Sequence, residues 1–283
     1  MSNGQASSSI KLHQEEFGNG DPILCLHGLG GNIFTWRNFI KPFSHNHKLI
    51  LVDLRGFGAS PKPIDLHYSL EEHADQIYGI ILRDNLTNLT LIGNSLGGAI
   101  ALLVASRLCE QGPNRLSKLV LIAAGAYKEY LPRYLKLIRT ALGPPMIYLA
   151  PSRLATRFVL RAAYYDSQKL TDEQTRAYSG PMARRGGRHA LLQTARQCVP
   201  PRSDEMIAKL SSISVPTLIL WGREDAVIPL RVGQLLEQAI PNATLEVIDN
   251  CGHIPQEERP EETIERISKF LDTTESTSRE ALT

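Results

Sequence analysis

Leu89-Thr90-Leu91-Ile92-Gly93-Asn94-Ser95-Leu96-Gly97-Gly98-Ala99 is the stretch on which the reading of this chain turns. An apolar run, Leu89 to Ile92, leads directly into Gly93-Asn94-Ser95-Leu96-Gly97-Gly98, and a helix-favouring run, Ala99 to Leu108, leaves it. A Gly-x-Ser-x-Gly between strand and helix is a nucleophile elbow, with the serine on a sharp turn. The glycines have a steric reason, since side chains at Gly93 or Gly97 would collide with neighbouring backbone. The helix that follows points its N-terminus at the serine and favours negative charge developing there. Ser95 is the candidate nucleophile.

The same alternation extends in both directions. Pro22 to Leu26, Lys48 to Val52, Leu116 to Ile122, Pro216 to Trp221 and Thr244 to Ile248 are further apolar runs. Runs of this length, bounded by turn signals, suit strands buried on both faces. Helical stretches separate them. From Ser69 to Arg83 the apolar residues Leu70, Ala74, Ile77, Ile80 and Ile81 fall at helical spacing, and Leu230 to Ile240 and Pro260 to Leu271 are amphipathic. Pro260 with Glu261-Glu262 suits a first helical turn. Strand, helix, strand, helix predicts an α/β fold with a mostly parallel twisted sheet flanked by helices.

One region breaks the pattern. From about Ala126 to Ser212 there are helix signals, seven prolines and no clear strand, which predicts a helical cap over 126–212 inserted into a core of 1–125 and 213–271. Ser152 is a candidate cap of one helix, and Thr171-Asp172-Glu173 a candidate start of another. The insertion carries 15 Lys/Arg against 6 Asp/Glu, a net of +9, and so leaves −7 on the rest of a chain whose total is +2. It also holds seven of the nine tyrosines. These residues are either solvated arginines and packed tyrosines, or an aromatic, cationic roof over a pocket.

Composition narrows the classes. Hydrophobic residues at 42% and charged residues at 21% are ordinary for a globular chain, and a net charge of +2 gives no reason to expect nucleic acid as a partner. The four cysteines, Cys25, Cys109, Cys198 and Cys251, show no metal-ligand spacing and suit reduced thiols, hence a cytoplasmic protein. Met1 to Ser9 lacks the apolar stretch of a signal peptide, and no window is long enough for a transmembrane helix. The Ser/Thr/Glu-rich stretch 272–283 reads as a disordered tail.

A second glycine-rich motif, His27-Gly28-Leu29-Gly30-Gly31, also follows an apolar run. Its backbone N–H groups can point inward, so the N–H of Leu29 and that of Leu96 are the expected oxyanion hole. Gly28, Gly93 and Gly97 support these turns, and His27 reads as a structural residue holding its loop. With Asp53-Leu54-Arg55-Gly56-Phe57-Gly58-Ala59-Ser60 between them, the two motifs resemble the α/β-hydrolase family. The resemblance covers about Ile10 to Leu271, with the insertion matched only in position.

The family's chain order is nucleophile, acid, histidine. Trp221-Gly222-Arg223-Glu224-Asp225 matches the acid loop at Asp225, with Glu224 the neighbouring rival, and Cys251-Gly252-His253-Ile254-Pro255 matches the histidine loop at His253. Each residue follows a separate strand, at the edge where open α/β sheets place their sites. The resemblance implies a Ser95–His253–Asp225 triad acting through an acyl-enzyme, with no metal or organic cofactor. A serine at position 95 argues against epoxide hydrolases and haloalkane dehalogenases, which are similar in fold but use aspartate there.

Cleavage of a carboxylic ester is the leading expectation, with a small-molecule ester as substrate and a monomer or homodimer as the assembly. The alternative is a carbon–carbon bond hydrolase acting on vinylogous diketone acids. Such enzymes commonly carry a tryptophan after the histidine, where this chain has Ile254, and a cap arginine that binds the substrate carboxylate. Arg188 is the candidate for that arginine. The same fold also serves as a non-catalytic ligand-binding or receptor protein.

Overall fold

The runs that lead into the glycine-rich motifs are central strands of one sheet in the computed structural model of the protein, which describes residues 10–111 and 115–280. The chain begins with β1 (Gln14–Phe17) and β2 (Asp21–Leu26), then α1 (Arg37–Phe43), β3 (His47–Val52) and α2 (Leu70–Arg83). The elbow joins β4 (Leu89–Asn94) to α3 (Leu96–Gln111), and β5 (Leu116–Ile122) follows. The seven strands lie in the order β1-β3-β2-β4-β5-β6-β7, where β6 is Thr217–Gly222 and β7 is Ala243–Ile248. All neighbours run parallel except β1, which pairs antiparallel with β3 through Gln14↔Val52 to Phe17↔Leu49. This edge strand lies outside the expected set. Its sequence, Gln-Glu-Glu-Phe, has exposed residues at Glu15 and Glu16 and gives no continuous apolar run.

Alternation along the buried strands divides the core in two. Leu24, Leu26, Ile50, Val52, Leu89 and Leu91 face the side covered by α2 and α3. Ile23, Cys25, Leu49 and Leu51 face the other side, against Trp36, Phe39 and Phe43 around α1 and Ile267 and Leu271 of the last helix. Because strand side chains alternate with period two, a one-residue slip would exchange these sets, and burial on both faces fixes the register.

Between β5 and β6 the described residues hold helices and no strand: α4 (Arg133–Ile138), α5 (Gly143–Leu149), α6 (Ser152–Ala163), α7 (Asp172–Ala183), α8 (Gly187–Gln197) and α9 (Ser203–Ala208). Helix α7 opens on a capping box, Thr171 accepting from the Gln174 N–H while the Gln174 side chain reaches back to the Thr171 N–H. Ser152 is different from expectation. It is the first residue inside α6, Pro151 holds the cap position, and its hydroxyl receives a bond from Arg188 instead.

After β6 come α10 (Arg231–Ala239), then β7, α11 (Pro255–Glu258) and α12 (Pro260–Glu280). No glycine or proline interrupts 261–280, and the last helix continues past Asp272, where the sequence suggested a frayed end. The stretches 1–9, 112–114 and 281–283 lie outside the described residues, and with them the reading of the N-terminus and the final part of the tail. No helix among the described residues is long and apolar enough to cross a membrane.

Candidate active site

Ser95 stands between β4 and α3 with φ +55°, a left-handed conformation that costs a non-glycine residue on the order of 1–2 kcal/mol. Three backbone bonds hold it there. Its N–H donates to Ile122 O at 3.0 Å, and its carbonyl accepts from Ala99 N at 3.1 Å and Gly125 N at 3.0 Å. The turn leaves no room for side chains on either flank. A Cβ on Gly93 would strike the backbone of Gly97 and Gly98, and one on Gly97 would strike the backbone of Leu26 and His27.

The histidine arrives from the loop after β7. His253 Nε2 lies 2.9 Å from Ser95 Oγ, and His253 Nδ1 lies 2.7 Å from Asp225 Oδ2. These distances define the tautomer: Nδ1–H donates to the carboxylate, leaving Nε2 free to accept from the serine hydroxyl. Asp225 comes from the loop after β6. Its side chain is fully buried, and its other oxygen accepts from Val227 N at 2.8 Å and Ile228 N at 2.9 Å. Glu224 turns away, accepting from Cys251 N at 3.0 Å. One position along the loop therefore separates an acid on the histidine from an acid that braces the histidine's loop.

The glycine-rich loop after β2 closes the other side. Leu29 and Leu96 line the space at Ser95. Leu96 is the first residue of α3, whose first-turn N–H groups have no partner within the helix. Gly28 packs against the Ser95 Cβ and the Asn94 side chain, leaving only 3.2 Å for any Cβ there. His27 is buried and both ring nitrogens are engaged. Nδ1–H donates to Gly28 O at 2.8 Å, and Nε2 accepts from Leu54 N at 3.0 Å. Burial lowers its pKa from 6.5, which keeps it neutral and matched to those two bonds.

Three residues to which the sequence reading gave no role complete the framework. Asn94 donates to Ile122 O at 3.0 Å and to His253 O at 3.3 Å, linking the elbow to the histidine loop. Glu258 is buried and accepts from Gly252 N at 2.7 Å, Asp166 N at 2.7 Å and Tyr165 N at 3.1 Å. It thereby fastens the end of α6 to the histidine loop, and His253 N–H donates to Ala163 O at 2.7 Å beside it.

Glu257 is buried next door. It accepts from Arg37 at 2.7 Å, Thr35 at 2.8 Å, Gln174 at 3.0 Å and the Tyr178 hydroxyl. Burial, and then the adjacent Glu257 charge, push the Tyr178 phenol well above its ordinary pKa, so it remains a donor. In sequence Glu257 and Glu258 look like ordinary acidic residues of a first helical turn. The one available signal was their place, four and five residues after His253.

Two cavities meet at Ser95. The larger, of about 310 Å³, is lined by His253, Ile254, Glu257, Thr35 and Tyr178 and by apolar side chains of the helical segment, among them Ile147, Val159 and Met182. The smaller, of about 70 Å³, is lined by Leu96, Tyr127, Cys198 and Met206. Leu29, Ser95 and Tyr134 border both. The larger wall is apolar with one carboxylate, and no lysine or arginine faces it. Over the larger cavity the roof is therefore apolar and not cationic, whereas Lys128 lines the smaller one. Arg188 in particular is absent from either lining. Its guanidinium donates to Tyr148 O and, at 3.0 Å, to the Ser152 hydroxyl, so it braces α8 against α5 and α6.

A family model described as the alpha/beta hydrolase fold matches residues 21–260. The chain belongs to that family and is a hydrolase. It is 30% identical to 2-hydroxy-6-oxo-2,4-heptadienoate hydrolase of Pseudomonas putida, over 94% of each chain. In structure it is similar to a meta-cleavage product hydrolase from Pseudomonas fluorescens, with a TM-score of 0.79, 25% identity and coverage of 94% of this chain and 95% of that one. It is similar also to Est816, an N-acyl homoserine lactone degrading enzyme, with a TM-score of 0.73, 27% identity and coverage of 93% and 98%.

Proposed function

We propose that this protein hydrolyses a carboxylic ester with apolar groups on both sides of the scissile bond, through an acyl-enzyme on Ser95. The single observation that carries the reading is the chain of bonds Asp225–His253–Ser95 opening onto a larger cavity whose wall is mostly apolar and holds no lysine or arginine. As Ser95 Oγ attacks the ester carbonyl, its proton passes to His253 Nε2. Asp225 stabilises the imidazolium and keeps its orientation. The N–H groups of Leu29 and Leu96 receive the oxyanion of the tetrahedral intermediate. The intermediate collapses, His253 returns the proton to the departing alkoxide, and the acyl group stays on Ser95. Water then attacks that acyl group with His253 again as base, releasing the acid.

A lactone is an internal ester, so the likeness to the lactone-degrading Est816 agrees with this chemistry. The relatives named as 2-hydroxy-6-oxo dienoate and nonadienedioate hydrolases favour a second reading, cleavage of a carbon–carbon bond. Their named compounds carry carboxylates. In this chain the histidine is followed by Ile254, and the larger cavity offers Glu257 where a carboxylate would need a cation. Bringing a second anion beside it without a new counter-charge would be unfavourable. A purely ligand-binding role would not require the serine, histidine and acid to be connected.

A substrate panel separates the readings. Purified protein is offered p-nitrophenyl esters of increasing acyl length and a vinylogous 1,5-diketone acid, with Ser95→Ala alongside. Serine-dependent ester cleavage with a length optimum is the expected result. Fast diketone cleavage with weak ester turnover would replace it with the carbon–carbon reading.

A further inference from the structure

The outer wall of the larger cavity is also part of the protein's surface. Met146, Phe158 and Val159 line the cavity and are themselves exposed. Phe158 is 75% exposed, and the same stretch of chain carries Leu142 at 63%, Leu149 at 80% and Leu154 at 66%. Most of the exposed large apolar residues of the described chain fall in this one segment. Surface patches of this kind mark interaction sites.

The charges within the segment that carries the patch are of one sign. From Arg133 to Ala163 the sequence holds six Lys/Arg and no Asp or Glu. On α6, Leu154 and Phe158 are four residues apart and form one stripe, and Arg153, Arg157 and Arg161 form the neighbouring stripe at the same spacing. Asp172 of α7 lies 3.5 Å from Arg153 and 3.0 Å from Arg157, while Arg161 has no carboxylate partner among the described residues. An apolar stripe edged by arginines is the pattern of a helix that lies in the headgroup plane of a bilayer.

We propose that the α5–α6 face docks on an anionic lipid surface. Leu149, Leu154 and Phe158 enter the boundary between headgroups and acyl chains, and the arginine stripe meets the lipid phosphates. The mouth of the cavity then opens against the bilayer, where apolar molecules are concentrated. A second copy of the chain is the poorer occupant. A two-fold contact sets the same patch against itself, and 133–163 offers no acidic residue to meet its six cations. The docking stands on the surface alone and does not depend on which bond the enzyme cleaves.

The test is co-sedimentation of the full chain with vesicles of phosphatidylglycerol mixed with phosphatidylcholine, against vesicles of phosphatidylcholine alone. The protein is expected to pellet with the anionic vesicles and to be released progressively by salt, because surface charge is screened. Leu149→Asp/Leu154→Asp, both positions exposed and outside the cavity wall, is expected to weaken association on the order of tenfold or more with an unchanged Tm. Arg153→Glu/Arg161→Glu is expected to weaken it as well. Three results would overturn the proposal: no association with anionic vesicles, association equal in variants and wild type, or light scattering that shows a dimer which Leu149→Asp/Leu154→Asp converts to monomer. The last would give the face to a second copy.

Discussion

On the floor of the site, loops at the carboxyl ends of β4, β6 and β7 hold Ser95, Asp225 and His253 by named hydrogen bonds. On the roof, α5 and α6 present mainly apolar side chains, and they pack on α7 and α8. Between the two lie polar joints: Glu257 to Gln174 and Tyr178, Glu258 to Tyr165 and Asp166, and Asn32 to Ala177 O at 2.9 Å. The two sequence regions carry opposite net charges, +9 and −7. The joints that touch the site are buried carboxylates accepting hydrogen bonds. Directional bonds fix reacting atoms to within tenths of an ångström, whereas apolar walls set only shape and volume. Damage is therefore expected to grade downward from floor to joint to roof.

The largest effect belongs to the floor. Ser95→Ala and His253→Ala are each expected to lower kcat by on the order of 10⁴-fold or more, with folding intact by circular dichroism. Retention of wild-type turnover in either would remove the floor from the account. The joint comes next. Glu258→Ala strands three N–H groups, the buried one of Gly252 and the part-buried ones of Tyr165 and Asp166, at a cost of about 2–4 kcal/mol. That corresponds to a Tm lower by about 5–10 °C for a chain of this size. Because the histidine loop loses its brace, kcat/KM is expected to fall by about 10–100-fold. A full loss of Tm without loss of kcat/KM in the surviving folded protein would separate the joint from the floor.

A smaller effect tests burial beneath the floor. Burial lowers the pKa of His73 from 6.5 to about 3, with His27 and Arg55 nearby adding to the shift. In the unfolded chain this imidazole takes up a proton near pH 6.5, so between pH 6.5 and 3 the unfolded state binds more protons. The stabilising contribution of the neutral ring is complete above 6.5 and drains as pH falls toward 3. Tm measured from pH 7 down to 4.5 is expected to decline, and His73→Leu to decline less steeply. The smallest effect belongs to the roof. Arg188→Ala is expected to leave kcat/KM on neutral esters within about twofold, since its guanidinium faces α5 and α6 and not the cavity. A drop of a hundredfold would place that arginine in contact with substrate after all.

Much of the floor was legible in the sequence because its geometry is enforced by backbone. Glycines two residues to either side of Ser95 and an apolar run before it leave few ways to fold, and Asp225 and His253 follow strands that lie side by side in the sheet. The edge strand β1 was not legible, because a half-exposed strand has no continuous apolar run. Glu257 and Glu258 were hidden for a related reason: an acidic residue in a first helical turn reads as solvated until the fold buries it. Arg188 shows the converse, a cation in the expected region whose direction only the packing of α8 decides.

The most direct test of the central claim is the intact mass of the protein rapidly quenched during turnover of a p-nitrophenyl ester. A single added acyl group, mapped by peptide digestion to Ser95 and absent in Ser95→Ala, is the predicted result. Continued ester turnover with no adduct on Ser95, or with the acyl group on another residue, would contradict it.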